Sequence, residues 1–251
     1  MCSRYFMEEH MDEELLRDLQ GSFRSTYGPT RGLIPRAAAE GGTHPSAKFA
    51  KAISHSDQRL AAPAAMSEMD DRPSGLSSSL SVRDGIFRAR DVHPSDEAPA
   101  VCAFHGVPEL RGMHWGYPSP QGKGLIINAR AESLPEKPMF RQGVESRRII
   151  LPASGFYEWN GQKEKNIFRN RVGRILYMAG ICDLFSEGER FVIVTTAANE
   201  SMRPVHGRMP LILDPDQVED WLFNSAATED ILCSTPALLN REMPYEQMSL
   251  F

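Results

Sequence analysis

The 251-residue sequence lacks long apolar runs and any excess of positive charge. No stretch approaches the ~18 consecutive apolar residues that a membrane-spanning helix requires. Residues 1–5 (MCSRY) also lack the basic and apolar regions of a signal peptide. We therefore expect a cytoplasmic protein without a membrane partner. The net charge of −5 opposes non-specific attraction to nucleic acid, but it is compatible with a local cationic groove.

Cysteine is also scarce, and no two cysteines form a C-x-x-C pair. In a reducing cytosol this scatter indicates free thiols rather than a disulfide framework or a zinc site. The sequence has no glycine-rich phosphate loop and no internal repeat. We accordingly predict neither a metal nor an organic cofactor. The four cysteines are Cys2, Cys102, Cys182 and Cys233.

The composition divides the chain into a short start, an atypical segment and a longer folded part. Met7, Met11, Leu15 and Leu19 recur every four residues and predict a helix near the start. In residues 21–88 nearly half of the residues are Gly, Pro, Ser or Ala. Because such a segment buries too little to offset its ordering entropy, we predict a disordered, low-complexity insertion.

From about residue 100 onward, short apolar runs between Gly and Pro predict strands. The segment DQVEDWLF predicts a helix with one apolar face. The expected fold is therefore α+β, with a strand-rich, barrel-like mixed-sheet core, peripheral helices and one domain over residues 1–251. The predicted strands are Ala100–Phe104, Leu125–Asn128, Arg148–Leu151, Ile175–Ala179 and Phe191–Thr195, and the predicted helix is Asp216–Phe223.

Cys2 directly follows the initiator methionine, and its small side chain favours removal of Met1. An N-terminal cysteine carries an α-amine and a thiol on adjacent carbons, and both are partly nucleophilic near neutral pH. The amine condenses with an aldehyde to a Schiff base. The neighbouring thiol can then close a five-membered thiazolidine ring. By itself, a cysteine at position two is usually only an early residue of the chain.

Four motifs give Cys2 a context. The sequence begins MCSRY, and it continues with NARAE at 128–132, LPASGFYEW at 151–159 and HGRMP at 206–210. Together and in this order they resemble the SOS response-associated peptidase family, whose members begin M-C-G-R-Y. The resemblance covers residues 1–20 and about 91–251.

The resemblance implies a function and assigns roles to individual residues. Proteins of this family bind single-stranded DNA and form a stable crosslink to abasic sites. The resemblance therefore implies a monomeric protein that associates with the nucleoid during DNA damage. Cys2 matches the nucleophile exposed by removal of Met1, and Asn128 matches a residue that holds the cysteine amine or the lesion. Glu158 matches the acid–base residue, and His206 matches the histidine beside the opened sugar. The positions that hold DNA phosphates are Arg4, Arg130 and Arg208.

The chemistry of the side chains agrees with these roles. An abasic sugar is mostly a closed hemiacetal, and a carboxylate and an imidazole are suited to moving the protons that open it. Trp115 and Trp159 are candidate stacking platforms for bases beside the lesion, with core packing as the competing interpretation. For the arginines outside the motifs, such as Arg169, ordinary salt pairing is the preferred interpretation.

Two other functions remain open at this point. In the first, Cys2 is the thiol of an N-terminal-nucleophile cysteine peptidase, which requires an oxyanion hole. In the second, the chain is a non-covalent single-stranded DNA-binding module. Ser3 replaces the family's glycine, and a serine there is costly if the backbone needs a positive φ.

Overall fold

The computed structural model describes residues 2–24, 88–103, 108–173 and 175–244. The predicted insertion lies outside the described residues except for residues 21–24, which end the first helix, and Arg88. The strands are β1 (Tyr5–Met7), β2 (Arg90–Val92), β3 (Glu97–Cys102), β4 (Glu109–Trp115), β5 (Tyr117–Pro118), β6 (Leu125–Ile126), β7 (Asn128–Arg130), β8 (Arg148–Ala153), β9 (Gly155–Trp159), β10 (Lys165–Arg169), β11 (Leu176–Phe185), β12 (Gly188–Ala197), β13 (Arg208–Pro210), β14 (Ile212–Leu213) and β15 (Asn240–Glu242). The helices are α1 (Met11–Arg24), α2 (Pro138–Ser146), α3 (Gln217–Phe223) and α4 (Thr228–Cys233), with a 3-10 turn at Ala131–Ser133.

Five strands close into a barrel in the order β12–β4–β3–β8–β11, with β11 pairing back to β12. The β12–β4 pair is parallel, and the other four pairs are antiparallel. Apolar residues dominate these strands, and Met113, Trp115, Ile150, Val192 and Phe191 have no exposed surface. Closure of the sheet removes unpaired edges from the core. The predicted strand-rich α+β fold with a barrel-like mixed sheet is confirmed.

A second sheet, in the order β15–β10–β9–β1–β2, carries the start of the chain. Strand β1 lies between β9 and β2, with Tyr5 opposite both Phe156 and Val92. All three residues of β1 are buried. At Gly155 the Phe6 ring approaches so closely that an added Cβ would lie 2.6 Å from Cζ of Phe6. Gly155 therefore permits β1 to lie flat against β9.

The predicted helices are present and lie around the sheets. In α1, Met11 and Leu15 are buried, as their spacing predicts. In α3, Val218, Trp221 and Leu222 are buried, and the Trp221 indole N–H donates to the carbonyl of Ile149 at 2.9 Å. In the described part of the chain, none of the helices has the length and apolar character needed to span a membrane.

Candidate active site

The strand pair β1–β9 determines where Cys2 lies. Because β1 and β9 are antiparallel with Tyr5 opposite Phe156, the residues before Tyr5 run beside those after Phe156. The backbone N–H of Tyr157 donates to the carbonyl of Arg4 at 3.1 Å, which continues this pairing. Cys2 is consequently carried to the end of β9 that bears Glu158, and it is 1% exposed.

Asn128 holds the backbone of Cys2 directly. Its side-chain Nδ2 donates to the Cys2 carbonyl oxygen at 2.8 Å. Asn128 begins β7, which pairs in parallel with β12 and places Asn128 opposite Ile193. The other side-chain atom, Oδ1, is buried and has no hydrogen-bond partner among the described residues. Asn128 thus orients Cys2 from the barrel and keeps one acceptor for a ligand.

Glu158 is a buried carboxylate beside this cysteine. It is 5% exposed, lies on β9 opposite Asn166, and its Oε2 accepts a hydrogen bond of 3.3 Å from the Trp159 N–H. Burial, and secondly the negative charge of Glu158, raises the pKa of the Cys2 thiol to about 12. This environment favours the thiol form of Cys2 over the thiolate.

His206 ends a tight loop that Asn199 organises. The Asn199 Oδ1 accepts from the N–H groups of Ser201 and Met202, and its Nδ2 donates to the carbonyls of Pro236 and Ala237. The His206 N–H donates to the carbonyl of Met202 at 3.1 Å. This network fixes the loop that presents the histidine.

Arg208 follows His206 and makes an extensive set of contacts. Its guanidinium binds both carboxylate oxygens of Glu132, and its Nη2 donates to the Thr195 carbonyl at 2.6 Å. Arg208, mainly by these hydrogen bonds, lowers the pKa of Glu132. Nη1 and Nη2 of Arg208 thus already have partners within the protein, and phosphate binding by this arginine stays a prediction.

A cavity of about 880 Å³ has Asn128 in its lining. Among its lining residues are Arg130 and Lys137, both exposed, and Arg208. The lining also contains proline and apolar side chains. Clefts with both kinds of group can bind the phosphate backbone and the bases of a nucleic acid. The remaining lining residues are Ser119, Pro120, Gln121, Ile126, Ala129, Glu132, Ser133, Pro138, Met139 and Phe140.

Residues 1–250 match the family model described as SOS response associated peptidase (SRAP). The chain belongs to this family. It is 33% identical over 158 residues to the abasic site processing protein YoaM of Bacillus subtilis, covering 57% of this chain and 70% of YoaM. It is 35% identical over 121 residues to the abasic site processing protein YedK of Escherichia coli, covering 45% and 54% of the two chains.

A solved structure of a phage-related protein from Bordetella bronchiseptica has the same fold. It aligns with a TM-score of 0.59, covering 98% of this SRAP chain and 95% of its own chain. At 17% identity this likeness concerns the fold alone.

Two predicted residues of the SRAP chain differ sharply in exposure. Trp115 is completely buried, donates its indole N–H to the Ile127 carbonyl at 2.9 Å, and stacks with Phe191 in the barrel. Its ring therefore has no exposed face on which a base could stack. Trp115 is a core residue rather than a stacking platform. Trp159 is partly exposed, and the Arg4 guanidinium lies 5.5 Å from its ring centroid.

Other expectations concern Ser3 and Arg169. Ser3 is exposed and does not belong to the residues with positive φ, so serine is accommodated without backbone strain. Arg169 pairs with Glu8 at 2.8 Å and Glu242 at 3.7 Å, which confirms salt pairing for this arginine.

The structure brings Cys2, Asn128 and Glu158 together, and Asn128, Arg130 and Arg208 share one cavity. Within the described residues, no group of three or more His, Cys, Asp or Glu side chains is arranged to hold a metal ion. The sequence predicts no role for Glu132, Thr195 or Asn199. For Glu132 a signal existed, because it ends the NARAE motif; the other two lie outside the recognised motifs.

Proposed function

We propose that this SRAP protein binds single-stranded DNA and becomes covalently attached to abasic sites through Cys2 after Met1 has been removed. Family membership and the names of the relatives YoaM and YedK support abasic-site DNA as the substrate. The observation that carries the proposal is the hydrogen bond from Asn128 to the Cys2 carbonyl, beside the buried Glu158. This arrangement holds the first residues of the chain where a reacting sugar can meet them.

The proposed reaction begins with opening of the sugar ring. The proton of the anomeric hydroxyl leaves, and the ring oxygen gains a proton, so that an aldehyde forms. Glu158 takes the first proton as a carboxylate, and His206 supplies the second. The Cys2 α-amine then attacks the aldehyde carbon, and water leaves as the Schiff base forms.

Ring closure completes the adduct. The Cys2 sulfur adds to the imine carbon, the thiol proton moves to the nitrogen, and a five-membered thiazolidine results. No oxidant or reductant is consumed. In this proposal the amine is the first nucleophile and the thiol acts second, an order that the raised pKa of the thiol supports.

The same property opposes the peptidase alternative. A cysteine peptidase attacks an amide with a thiolate, and reactive cysteines of this kind have lowered pKa values. Here burial and Glu158 both raise the pKa of the thiol. An aldehyde, which an amine can attack without a thiolate, suits this environment better than an amide.

DNA binding in this proposal involves the cavity and the partly exposed end of β9 at Trp159. Arg130 and Lys137 offer cations for phosphates along the cavity. Arg4 and Trp159, stacked at 5.5 Å, offer a cation and a ring on the other sheet. Base stacking on such a ring contributes ~1–3 kcal/mol per base without sequence preference.

Intact mass spectrometry tests the proposal. The protein is mixed with a single-stranded oligonucleotide that carries one abasic site, and the expected product has the mass of protein without Met1 plus oligonucleotide minus one water. A tetrahydrofuran site, which has no aldehyde, is the matched control and is expected to give no adduct. Cys2→Ser retains the amine, so its adduct should require borohydride reduction of the imine.

Other outcomes distinguish the alternatives. Salt-dependent binding without an adduct would instead support a non-covalent binding module. An uncleavable residue placed before Cys2 blocks the amine and should abolish crosslinking, whereas a thiol-only peptidase would tolerate it.

We further propose that residues 1–251 form one domain and that residues 21–88 are an insertion in it. Strands β1 and β2, which flank the segment, are neighbours in one sheet, with Met7 opposite Arg90. The chain therefore leaves and re-enters the sheet at one place. Replacing residues 25–87 with a short glycine–serine linker should leave folding and crosslinking intact, and loss of folded protein would contradict this.

A further inference from the structure

We infer that Glu132 is a positioning residue for His206 and that it acts through Arg208. This inference rests on the proposed function, in which His206 moves a proton during opening of the sugar. Glu132 lies in the 3-10 turn Ala131–Ser133 that follows β7, and it lines the same cavity as Asn128.

The first step is the contact between Glu132 and Arg208. Both guanidinium nitrogens Nη1 and Nη2 bind the carboxylate, one to each oxygen. Such two-point pairing fixes the plane of the guanidinium as well as its position. Thr195 adds its carbonyl at 2.6 Å and its hydroxyl at 3.3 Å to Nη2. The Arg208 side chain is only 18% exposed, so it is held between the turn after β7 and strand β12.

The second step is the contact between Arg208 and His206. The backbone N–H of Arg208 donates to Nδ1 of His206 at 2.9 Å, and the Arg208 carbonyl lies 3.1 Å from the same nitrogen. A neutral ring that accepts at Nδ1 carries its proton on Nε2. A protonated ring can instead donate from Nδ1 to the carbonyl. The N–H of Arg208 at 2.9 Å thus favours the neutral ring with its proton on Nε2.

Together these steps connect Glu132 to the imidazole. Residue 208 begins β13, opposite Ala197, and the guanidinium clamp fixes the residue whose backbone orients the ring. Without Glu132, Arg208 keeps only its contacts to Thr195, and the first residue of β13 has more freedom. We therefore expect the loss of Glu132 to slow the chemical step while DNA binding is retained.

Glu132 is a favourable residue to test because its side chain is 56% exposed. An exposed ion pair of this kind contributes little to folding stability, so Glu132→Ala should fold. Glu136→Ala is the matched control, since Glu136 is an exposed glutamate four residues later in the same segment. Glu132→Gln keeps one acceptor oxygen for Arg208 and serves as the conservative variant.

The crosslinking rate of each variant and its affinity for DNA are measured. At saturating abasic oligonucleotide, Glu132→Ala should crosslink about tenfold more slowly than wild type, a partial loss of the ~10²–10⁴-fold that a positioned proton-transfer group contributes. Glu132→Gln should recover part of this loss, and Glu136→Ala should match wild type. The Kd for the unreactive tetrahydrofuran oligonucleotide should be unchanged in Glu132→Ala. Tighter binding of that oligonucleotide, with an unchanged crosslinking rate, would overturn the inference and show that Glu132 competes with phosphate for Arg208.

Nitrogen-15 NMR of the His206 ring provides a readout that does not depend on crosslinking. In the wild-type protein the neutral ring should carry its proton on Nε2, and Glu132→Ala should move it toward a mixture of both tautomers. An unchanged tautomer in Glu132→Ala would refute the positioning role. If the wild-type protein formed no adduct, the proposed function would fail, yet the NMR comparison would still decide this inference.

Discussion

Asn128 and Cys2 are joined by a 2.8 Å hydrogen bond although 126 residues separate them in sequence. The donor is the side-chain amide of Asn128 on β7, which pairs with a barrel strand. The acceptor is the backbone carbonyl of Cys2, three residues before β1 of the second sheet. The bond therefore fixes the start of the chain relative to the barrel. It is a direct contact between two of the predicted site residues, one of which is the proposed nucleophile.

Replacing Asn128 with Ala removes the donor and leaves the Cys2 carbonyl unsatisfied, at a cost of about 1–3 kcal/mol for a buried group. The position of Cys2 should then be poorly defined, and the crosslinking rate should fall by at least about tenfold, or ~1.4 kcal/mol in activation free energy. Asn170→Ala is the matched control, because Asn170 makes a similar 2.9 Å bond to the Ile175 carbonyl away from the site. Equal crosslinking rates in the two variants would show that the Cys2 bond is not needed.

The raised pKa of Cys2 predicts slow alkylation by iodoacetamide, because the thiolate is the nucleophile that displaces iodide. At pH 9 the buried Cys2 thiol should react slowly, while the exposed Cys233 serves as an internal reference in the same sample. Glu158→Gln removes the negative charge that raises the pKa, so the pKa should fall and Cys2 alkylation at pH 9 should accelerate. Peptide mapping by mass spectrometry measures both sites. An unchanged Cys2 rate would show that burial alone keeps the thiol protonated.

Gly155 is predicted to be intolerant of any side chain. An added Cβ would lie 2.6 Å from the Phe168 carbonyl oxygen and 2.6 Å from Phe6 Cζ. Gly155→Ala should lower the free energy of unfolding by about 1–3 kcal/mol through overpacking, and it should displace β1 and slow crosslinking. At Gly161 an added Cβ meets nothing within 4 Å, so Gly161→Ala should change neither quantity. Chemical denaturation of both variants makes the comparison.

Trp115 and Trp159, the two candidate stacking platforms, should respond differently to truncation. Trp115→Ala opens a cavity in the barrel and should cost about 3–5 kcal/mol of stability. Trp159→Ala removes a partly exposed ring and should weaken binding of an undamaged single-stranded oligonucleotide while stability changes little. Denaturation and fluorescence-anisotropy titrations measure the two effects. Loss of DNA affinity in a Trp115 variant that remains folded, such as Trp115→Phe, would contradict the core role.

Local pattern explains why much of the fold was predictable. Strand predictions such as Arg148–Leu151 and Phe191–Thr195 lie within β8 and β12, because short apolar runs of β-branched residues are buried in the barrel. The helix at Gln217–Phe223 follows from its apolar face. Part of the Ala100–Phe104 prediction falls in β3, and Phe104 lies outside the described residues.

The tertiary relationships were not predictable from these patterns. The parallel pairing of β12 with β4 completes the barrel, but no local spacing encodes that these two sequence-distant strands meet. Trp115 was a candidate platform because a sequence does not reveal whether a ring faces the core or solvent. Likewise, the partner of Arg208 is Glu132, 76 residues away, and only the fold brings the two charges together. Motifs identify reactive residues, whereas burial and pairing determine which of them remain exposed.

The pairing of β1 with later strands affects the order in which parts of the protein fold. Its first strand partner, β2, begins at Arg90, and its second, β9, begins at Gly155. During synthesis from the N-terminus, Cys2 leaves the ribosome first, but its partners Asn128 and Glu158 follow more than a hundred residues later. Contacts between such distant residues form slowly, because the loop between them must close first. The end of the chain that is translated first is thus among the last to reach its final position.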